Sequence, residues 1–533
     1  MNDDLRPSPS TSAWTRRDFL RTTALGLVVV GTAGGVAACG GTDSTGTATA
    51  PTGASGTPKK GGTLRVGASG GASTDTLDPQ AWVTAPDQIR IQQLYDPLVW
   101  MDNDAKPQMV LAESIEPNAD ATVWTIKIKS GVVTHAGKPF IADDVLFSLQ
   151  RIVDNKSPAL SLLGPIDLKA SKVVDATTVQ VAFSKPFAVL MDSLSFPYLY
   201  MVPRGFDPKQ PDGTGPFKYE SFTPGTESTF VRNENYWQQG LPYLDKIVTI
   251  NIADEASQVN GLQSGQVDMI NALSAGSVSA LKGAGFNVSI SESGNWVPFT
   301  MHNGIAPFSD VRVRQAFRLI PDRKQMLQQV FGGNGAIGND VFSPFDPAFP
   351  TDLPQREQDL DQAKSLLKAA GQEGMKIKLV TAPAGAGEVN MAQVFATQAK
   401  AAGVTVEVVQ QTVTAFYSDS YMKIPFGMDY GTNQMFTCNA AQLMIGDISF
   451  FNANHFNDPE YTSLYDQALS TVDQAKRTDV IHQMATIDHD RGGYIVPVFS
   501  PVIEAYSSKV GGAKAPRSGV SPGNADFKRF WLA

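Results

Sequence analysis

Lys376-Ile377-Lys378-Leu379-Val380-Thr381, Met391 to Ala402, and Val404-Thr405-Val406-Glu407-Val408-Val409 read as strand, helix and strand, with Gly403 ending the helix. Two strands joined by a helix make a βαβ unit, so this region is an α/β domain with a parallel strand pair. The helical texture extends upstream. Val313, Ala316, Phe317 and Ile320 form one apolar face behind Ser309 as a candidate cap, and Leu360, Ala363, Leu367 and Ala370 form another, stopped by Gly371.

Nearer the N-terminus the elements are shorter. Gly61 to Gly67 holds a strand bounded by glycines, which marks the start of the folded body. Trp124 to Lys129 alternates apolar and polar residues as a half-buried strand does, and Val179, Val181 and Phe183 repeat the pattern. Between them Ile141, Val145, Leu149 and Ile152 recur at helical spacing, with Asp143 and Asp144 placed to suit the helix dipole. Residues 105–211 are therefore expected to form a module of their own. Ile247 to Ile252 is a further strand, and Val259 with Leu262 predicts a short helix before Val267-Asp268-Met269-Ile270. The chain contains no internal repeat.

The first forty residues fix where the body works. Thr15-Arg16-Arg17-Asp18-Phe19-Leu20, the apolar run Ala24 to Val36, and Val36-Ala37-Ala38-Cys39 form a basic segment, a short apolar core and a small-residue exit point. This is an export signal, and the paired arginines point to the twin-arginine route. The apolar run is too short to span a bilayer permanently. Val36 to Cys39 resembles a lipobox, which implies cleavage before Cys39 and lipidation of its thiol. Gly40 to Pro58 is almost entirely Gly, Thr, Ala, Ser and Pro, a flexible tether with a reach of roughly 25 Å.

Composition narrows the partners. Removing residues 1–38 takes away four arginines and three aspartates, which moves the net charge from −9 to −10. Such a balance disfavours nucleic acid. Hydrophobic residues make up 42% of the chain, enough for two or three packed units. Of two cysteines, Cys39 is assigned to lipid, so Cys438 has no intrachain partner.

Catalytic motifs are thin. Gly67-Ala68-Ser69-Gly70-Gly71 fits a nucleophile elbow, yet the residues after it, through Asp78-Pro79, have loop chemistry where a helix is required. Gly333-Asn334-Gly335-Ala336-Ile337-Gly338 matches a dinucleotide fingerprint but precedes a Pro-rich segment, so it reads as a loop. His482 and His489 stand two helical turns apart, about 10 Å, too far to share a metal ion unaided. No phosphate-loop pattern occurs, so the chain is not itself an ATPase. No cofactor and no metal are expected.

The remaining motifs fall into one order. Gly61-Gly62-Thr63-Leu64-Arg65-Val66, Leu77-Asp78-Pro79, Tyr95-Asp96-Pro97-Leu98-Val99, Leu111-Ala112-Glu113-Ser114 and Gly137-Lys138-Pro139-Phe140 come first. Ala142-Asp143-Asp144-Val145, Gly213-Thr214-Gly215-Pro216-Phe217, Asn233-Glu234-Asn235-Tyr236-Trp237, Gly265-Gln266-Val267-Asp268 and Pro307 to Ala316 with Asp322-Arg323 follow. Together they resemble family 5 of the extracytoplasmic solute-binding proteins of ABC transporters, which includes oligopeptide, dipeptide and nickel binders.

The resemblance implies an α/β fold of the periplasmic-binding-protein type, with two lobes, a hinge between them and an additional inserted domain. Residues 1–38 would be the signal and 39–60 the tether; 61–104, 212–297 and 498–533 would make lobe I, 105–211 the inserted domain and 298–497 lobe II. Lobes would close on a ligand, and the closed form would be read by a permease. The chain would cross between lobes near Trp296 to Asn303 and again near Pro497 to Pro501.

In peptide-binding members an acid of lobe II pairs with the peptide amino terminus. The comparable stretch here is Phe436 to Gln442, which contains no acid, and Asp429 stands seven residues earlier. Candidate cleft residues are Trp82, Trp296, Tyr430, Phe436, Asn439 and Gln442, aromatics as flat walls and amides to fix orientation. The expected protein is a monomeric, lipid-anchored receptor on the extracytoplasmic face of the cell membrane. It would take a small solute, a peptide or peptide-like molecule, to the permease and ATPase of an ABC importer. The rival readings are an exported hydrolase using Ser69 and a surface lipoprotein without a transport role.

Overall fold

Gly61 and Gly62, both at positive φ, lead the chain into the strand Thr63–Ser69, whose Leu64, Val66 and Ala68 are fully buried. A computed structural model describes residues 57–533, except Val83, 418–420 and Asp447. Arg16 and Arg17, the lipobox with Cys39, and the tether up to residue 56 lie outside the described residues.

Thr63–Ser69 is the parallel neighbour of Lys246–Ile252 on one side and of Met269–Ile270 on the other. The whole sheet runs Asn287–Trp296, Val498–Tyr506, Met269–Ile270, Thr63–Ser69, Lys246–Ile252, Glu227–Arg232, Phe217–Thr223. An eighth short strand, Ala336–Ile337, pairs with the start of Val498–Tyr506. That strand is the dinucleotide-like stretch, which here runs along a sheet edge and opens no helix.

The second sheet has five strands, in the order Thr405–Gln410, Lys376–Thr381, Phe426–Met428, Phe299–Met301, Tyr494–Ile495. Lys376–Thr381 and Thr405–Gln410 are parallel in unbroken register, and the helix Glu388–Ala401 connects them, the βαβ unit that the alternation predicts. Under it Phe299, Phe308, Phe317, Phe395 and Phe426 form one aromatic cluster, each fully buried, with ring centroids 4.6 to 6.1 Å apart. Burying each ring stabilises the fold by roughly 1.5–3 kcal/mol, and edge-to-face pairs add to this. The helix Val311–Leu319 is capped by Asp310, which accepts from Arg312 N at 2.9 Å, and not by Ser309. Both residue types can cap; the backbone turn selects the later one.

A third sheet is antiparallel, in the order Ala112–Pro117, Val123–Ile128, Thr178–Phe183, Ile166–Asp175. The helix Ala142–Asp154 covers it with Val145, Leu149 and Ile152. Its Asp144 accepts from Ile141 N at 2.8 Å and from Arg204 N at 2.8 Å, so one carboxylate both caps the helix and ties down a distant loop.

The first two sheets are joined at a narrow seam. The chain leaves the first between Trp296 and Phe299 and returns to it between Ile495 and Val498. Asn287–Trp296 and Val498–Tyr506 are hydrogen-bonded neighbours, so both connections run side by side.

Candidate interlobe site

At the seam Trp296 is only 1% exposed. Its indole stacks on Phe342 at 5.7 Å and meets Tyr494 edge-on at 5.3 Å, while Phe342 stacks in turn on Phe436 at 4.8 Å. Gly431 seats the indole, since a Cβ there would collide with it. Two of the candidate residues, Trp296 and Phe436, are thus the ends of one aromatic stack. The indole N–H of Trp296 has no partner among the described residues.

Asn439 and Gln442 lie on the helix Phe436–Leu443, one turn apart and both buried. Asn439 donates from Nδ2 to Ser343 Oγ at 2.9 Å, so its amide serves packing between the helix and the 343 loop. The Nε2 of Gln442 finds no acceptor among the described residues. Cys438, just before them on the same helix, is a free and buried thiol, pushed well above its ordinary pKa by burial and then by Asp192 and Asp346.

Tyr430 has the opposite character. It keeps 44% of its surface open, although protein surrounds it closely enough that burial, followed by Asp429 and Glu388, pushes its phenol up to about 12. A side chain both enclosed and accessible lines a concavity. Trp82 is fixed close by the same region. Its Nε1 donates to Pro197 O at 2.9 Å, and its ring stacks on Tyr198 at 4.6 Å, which stacks on Phe196 at 5.6 Å. The Tyr198 phenol is raised by burial, and then by Tyr430 and Asp87. Tyr198 thus stacks on Trp82 of the N-terminal segment and feels the charge of Tyr430, in the loop just beyond Phe426–Met428.

Behind Tyr430 stand two acids, Glu388 buried and Asp429 half-buried. Asp429 accepts from Tyr417 Oη at 2.7 Å, from Tyr421 Oη and from Tyr430 N at 2.9 Å. Burial raises its pKa against the pull of those donors. Glu388 accepts from Gly385 N at 2.9 Å and Ala382 N at 3.3 Å; burial and then Asp429 push it up to about 8. Neither acid has a lysine or arginine ion pair among the described residues, and at Glu388 a proton takes the place of the missing cation.

Tyr198, Glu388 and the two tyrosines 417 and 421 escaped sequence reasoning. The one available signal was Asp429-Tyr430 directly after the apolar strand Phe426–Met428, a polar pair at a strand end. Ser69 closes its strand with its N–H donated to Asn271 Oδ1 at 2.9 Å; the next helix begins only at Ala85, so the elbow geometry is missing. His489 of the candidate pair bonds Asp490 at 2.8 Å and meets Arg356. Among the described residues no group of three or more His, Cys, Asp or Glu could hold a metal ion, and no helix is long and apolar enough to cross a membrane.

Residues 106–436, more than half of the chain, match the family model described as bacterial extracellular solute-binding proteins, family 5 Middle. The chain is 25% identical over 468 residues to heme-binding protein A of Haemophilus influenzae, covering 79% of this chain and 84% of that protein. It is 24% identical over 475 residues to the periplasmic oligopeptide-binding protein OppA of Escherichia coli, covering 80% and 86%. Among solved structures, the periplasmic binding protein DppA of Helicobacter pylori in complex with the peptide STSA superposes with a TM-score of 0.77 at 20% identity, covering 89% of this chain and 99% of that one.

Proposed function

The chain belongs to the bacterial extracellular solute-binding proteins of family 5, and we propose that it is the lipid-anchored receptor of an ABC importer for a peptide or peptide-like solute. The observation that carries this reading is the pair of sheets joined by two adjacent strand connections, with an accessible tyrosine in an otherwise closed aromatic region at the junction. A hinge of that form lets two bodies close on a ligand. In this reading the boundaries are those given above: 61–104, 212–297 and 498–533 in one lobe, 298–497 in the other, 105–211 inserted. Cys39 would carry the lipid, and the protein would act as a monomer beside its permease and ATPase. It binds its solute and performs no catalysis on it.

The solute would be held by Tyr430 and the Trp82–Tyr198 wall, with Trp296, Phe436, Asn439 and Gln442 supporting the seam. The stretch Phe436 to Gln442, where the family resemblance implies an acid for a peptide ammonium, contains none, and its Phe436 is spent on the stack with Phe342. Asp429 is occupied by two tyrosine hydroxyls. The solute is therefore one whose binding does not depend on a free amino terminus at that position, such as a blocked or cyclic peptide. Native mass spectrometry of the protein purified from its own host tests this. A co-purifying peptide-like mass is expected; a metal complex or a porphyrin in its place would overturn the solute class.

A further inference from the structure

Two bodies that close about a hinge bring further surfaces together, and the 105–211 segment supplies one of them. Its helix Leu190–Leu194 and its turn Pro158–Leu162 both pack on the helix Phe436–Leu443 of the 298–497 segment. Ala159, Leu162, Leu190 and Leu194 belong to one buried cluster with Phe436 and Ala440, each at most 2% exposed. A backbone hydrogen bond fastens the same contact, from Ala188 N to Leu469 O at 2.5 Å.

The contact is apolar, yet each side brings an aspartate to it. Buried Asp346 accepts from Phe436 N at 2.7 Å and from Ala348 N at 2.7 Å, so its carboxylate sits at the start of the helix on which Leu190–Leu194 rests. Asp192, half-buried, comes from the opposite side, and the hydroxyl of its neighbour Ser193 bonds the Cys438 thiol of that helix. Neither carboxylate has a lysine or arginine ion pair among the described residues. Arg477 is the cation whose field reaches both, and its Nη1 is committed to Thr471 O at 2.8 Å. Cys438 feels both acids, and Tyr465 feels Cys438 and Asp466. Val99–Met101, which also packs on Leu190–Leu194, carries no titratable group.

Two like charges carried from opposite sides into an apolar contact do not both stay ionised, because water no longer screens them and no paired cation offsets the loss. Burial and then Asp346 push Asp192 up to about 7, against the pull of Arg477, and burial raises Asp346 as well. Once the two sides separate, Asp192 returns to water and toward its ordinary value of 3.8.

We propose that this contact is a proton-dependent clasp, in which the 105–211 segment grips the 298–497 segment while a carboxyl of the Asp192–Asp346 pair is protonated and releases it when both are ionised. The clasp rests on the two-lobed reading above and adds that closure answers to pH as well as to solute. Linkage fixes the direction. Between about pH 4 and pH 7 the closed form holds a proton that the open form has lost, so closure is fully supported below that window. It weakens by up to about tenfold per pH unit through the window and no further above it.

Labelling of Cys438 by a maleimide reads the clasp, because that thiol lies within it. In the full chain carrying Cys39→Ser, Cys438 is the one thiol left. Its labelling rate, without solute, is compared at about pH 5 and pH 7.5 in this parent and in Asp192→Asn, which shares the ordinary rise in thiolate with pH. The parent's rate should rise at least about tenfold more than the variant's. Small-angle scattering should show a larger radius of gyration at the higher pH in the parent and no such change in Asp192→Asn; should that variant not fold, Asp346→Asn takes its place. Urea unfolding at both pH values gives the rate that global unfolding alone would produce, which the parent at the higher pH must exceed. Equal rises in parent and variant would overturn the clasp and leave hinge closure standing. Labelling no faster than global unfolding, at a constant radius, would overturn the clasp together with the hinge.

Discussion

Trp296 and Gly431 exchange both of their backbone hydrogen bonds, Trp296 N to Gly431 O at 3.0 Å and Gly431 N to Trp296 O at 2.8 Å. This isolated antiparallel bridge binds the last residue of a first-sheet strand to the loop just beyond a second-sheet strand. The indole then lies flat over the glycine, where a side chain has no room. Gly431→Ala should therefore destabilise the protein by about 1–3 kcal/mol through overpacking. Urea unfolding would show a lower midpoint at an unchanged slope.

Tyr430 should behave differently. With 44% of its surface open, Tyr430→Ala should change the unfolding free energy by less than about 1 kcal/mol. Solute affinity, measured by calorimetry, should fall at least about tenfold, because a flat wall of the site is removed.

Glu388 makes stability depend on pH. Its pKa is 4.5 ordinarily and about 8 when folded, so between those values the folded state holds a proton that the unfolded chain has lost. Stability is then unaffected below about pH 4.5, falls as pH rises through that window, and levels off above about pH 8. The slope is on the order of 1 kcal/mol per pH unit at most. Glu388→Gln should flatten the decline in melting temperature between pH 5 and pH 8, relative to the wild type; an identical decline would show that the proton is held elsewhere.

Asp340 is the counter-charge for three arginines. It bonds Arg323 at 2.9 Å and Arg356 at 2.8 Å, stands 4.0 Å from Arg318, and accepts from Val496 N at 3.0 Å beside the returning connection. Burial alone would raise its carboxyl, and the three cations outweigh that, so it sits below its ordinary range. Asp340→Ala leaves buried guanidinium groups uncompensated and should cost about 3–5 kcal/mol. Chemical denaturation would measure it, and Asp340→Asn should recover part of the loss by keeping an acceptor.

The second sheet was legible because Lys376–Thr381 and Thr405–Gln410 keep one apolar face each and a helix of ordinary length lies between them. The helix itself starts at Glu388 and not at Met391, since its cap, Gly387, carries no side chain to announce it. The seam was less legible. Trp296, Phe342 and Phe436 meet only after three distant segments fold together, and no periodicity marks that. Asn439 and Gln442 are polar by type, yet their helix is buried all round, so their amides serve the interior before any solute. The acid pair Glu388 and Asp429 is likewise a product of burial, which composition does not carry.

Val498–Tyr506 lies between Asn287–Trp296 and Met269–Ile270 in the first sheet. While the chain is being synthesised, those two strands have a gap between them until residue 506 emerges. The N-terminal half cannot complete its sheet as it is made, although every other strand of that sheet's main path is already present. The 298–497 segment can assemble its own five strands earlier. The protein should thus finish folding in reverse of its sequence, second sheet before first, and a chain truncated before residue 498 should retain only the former.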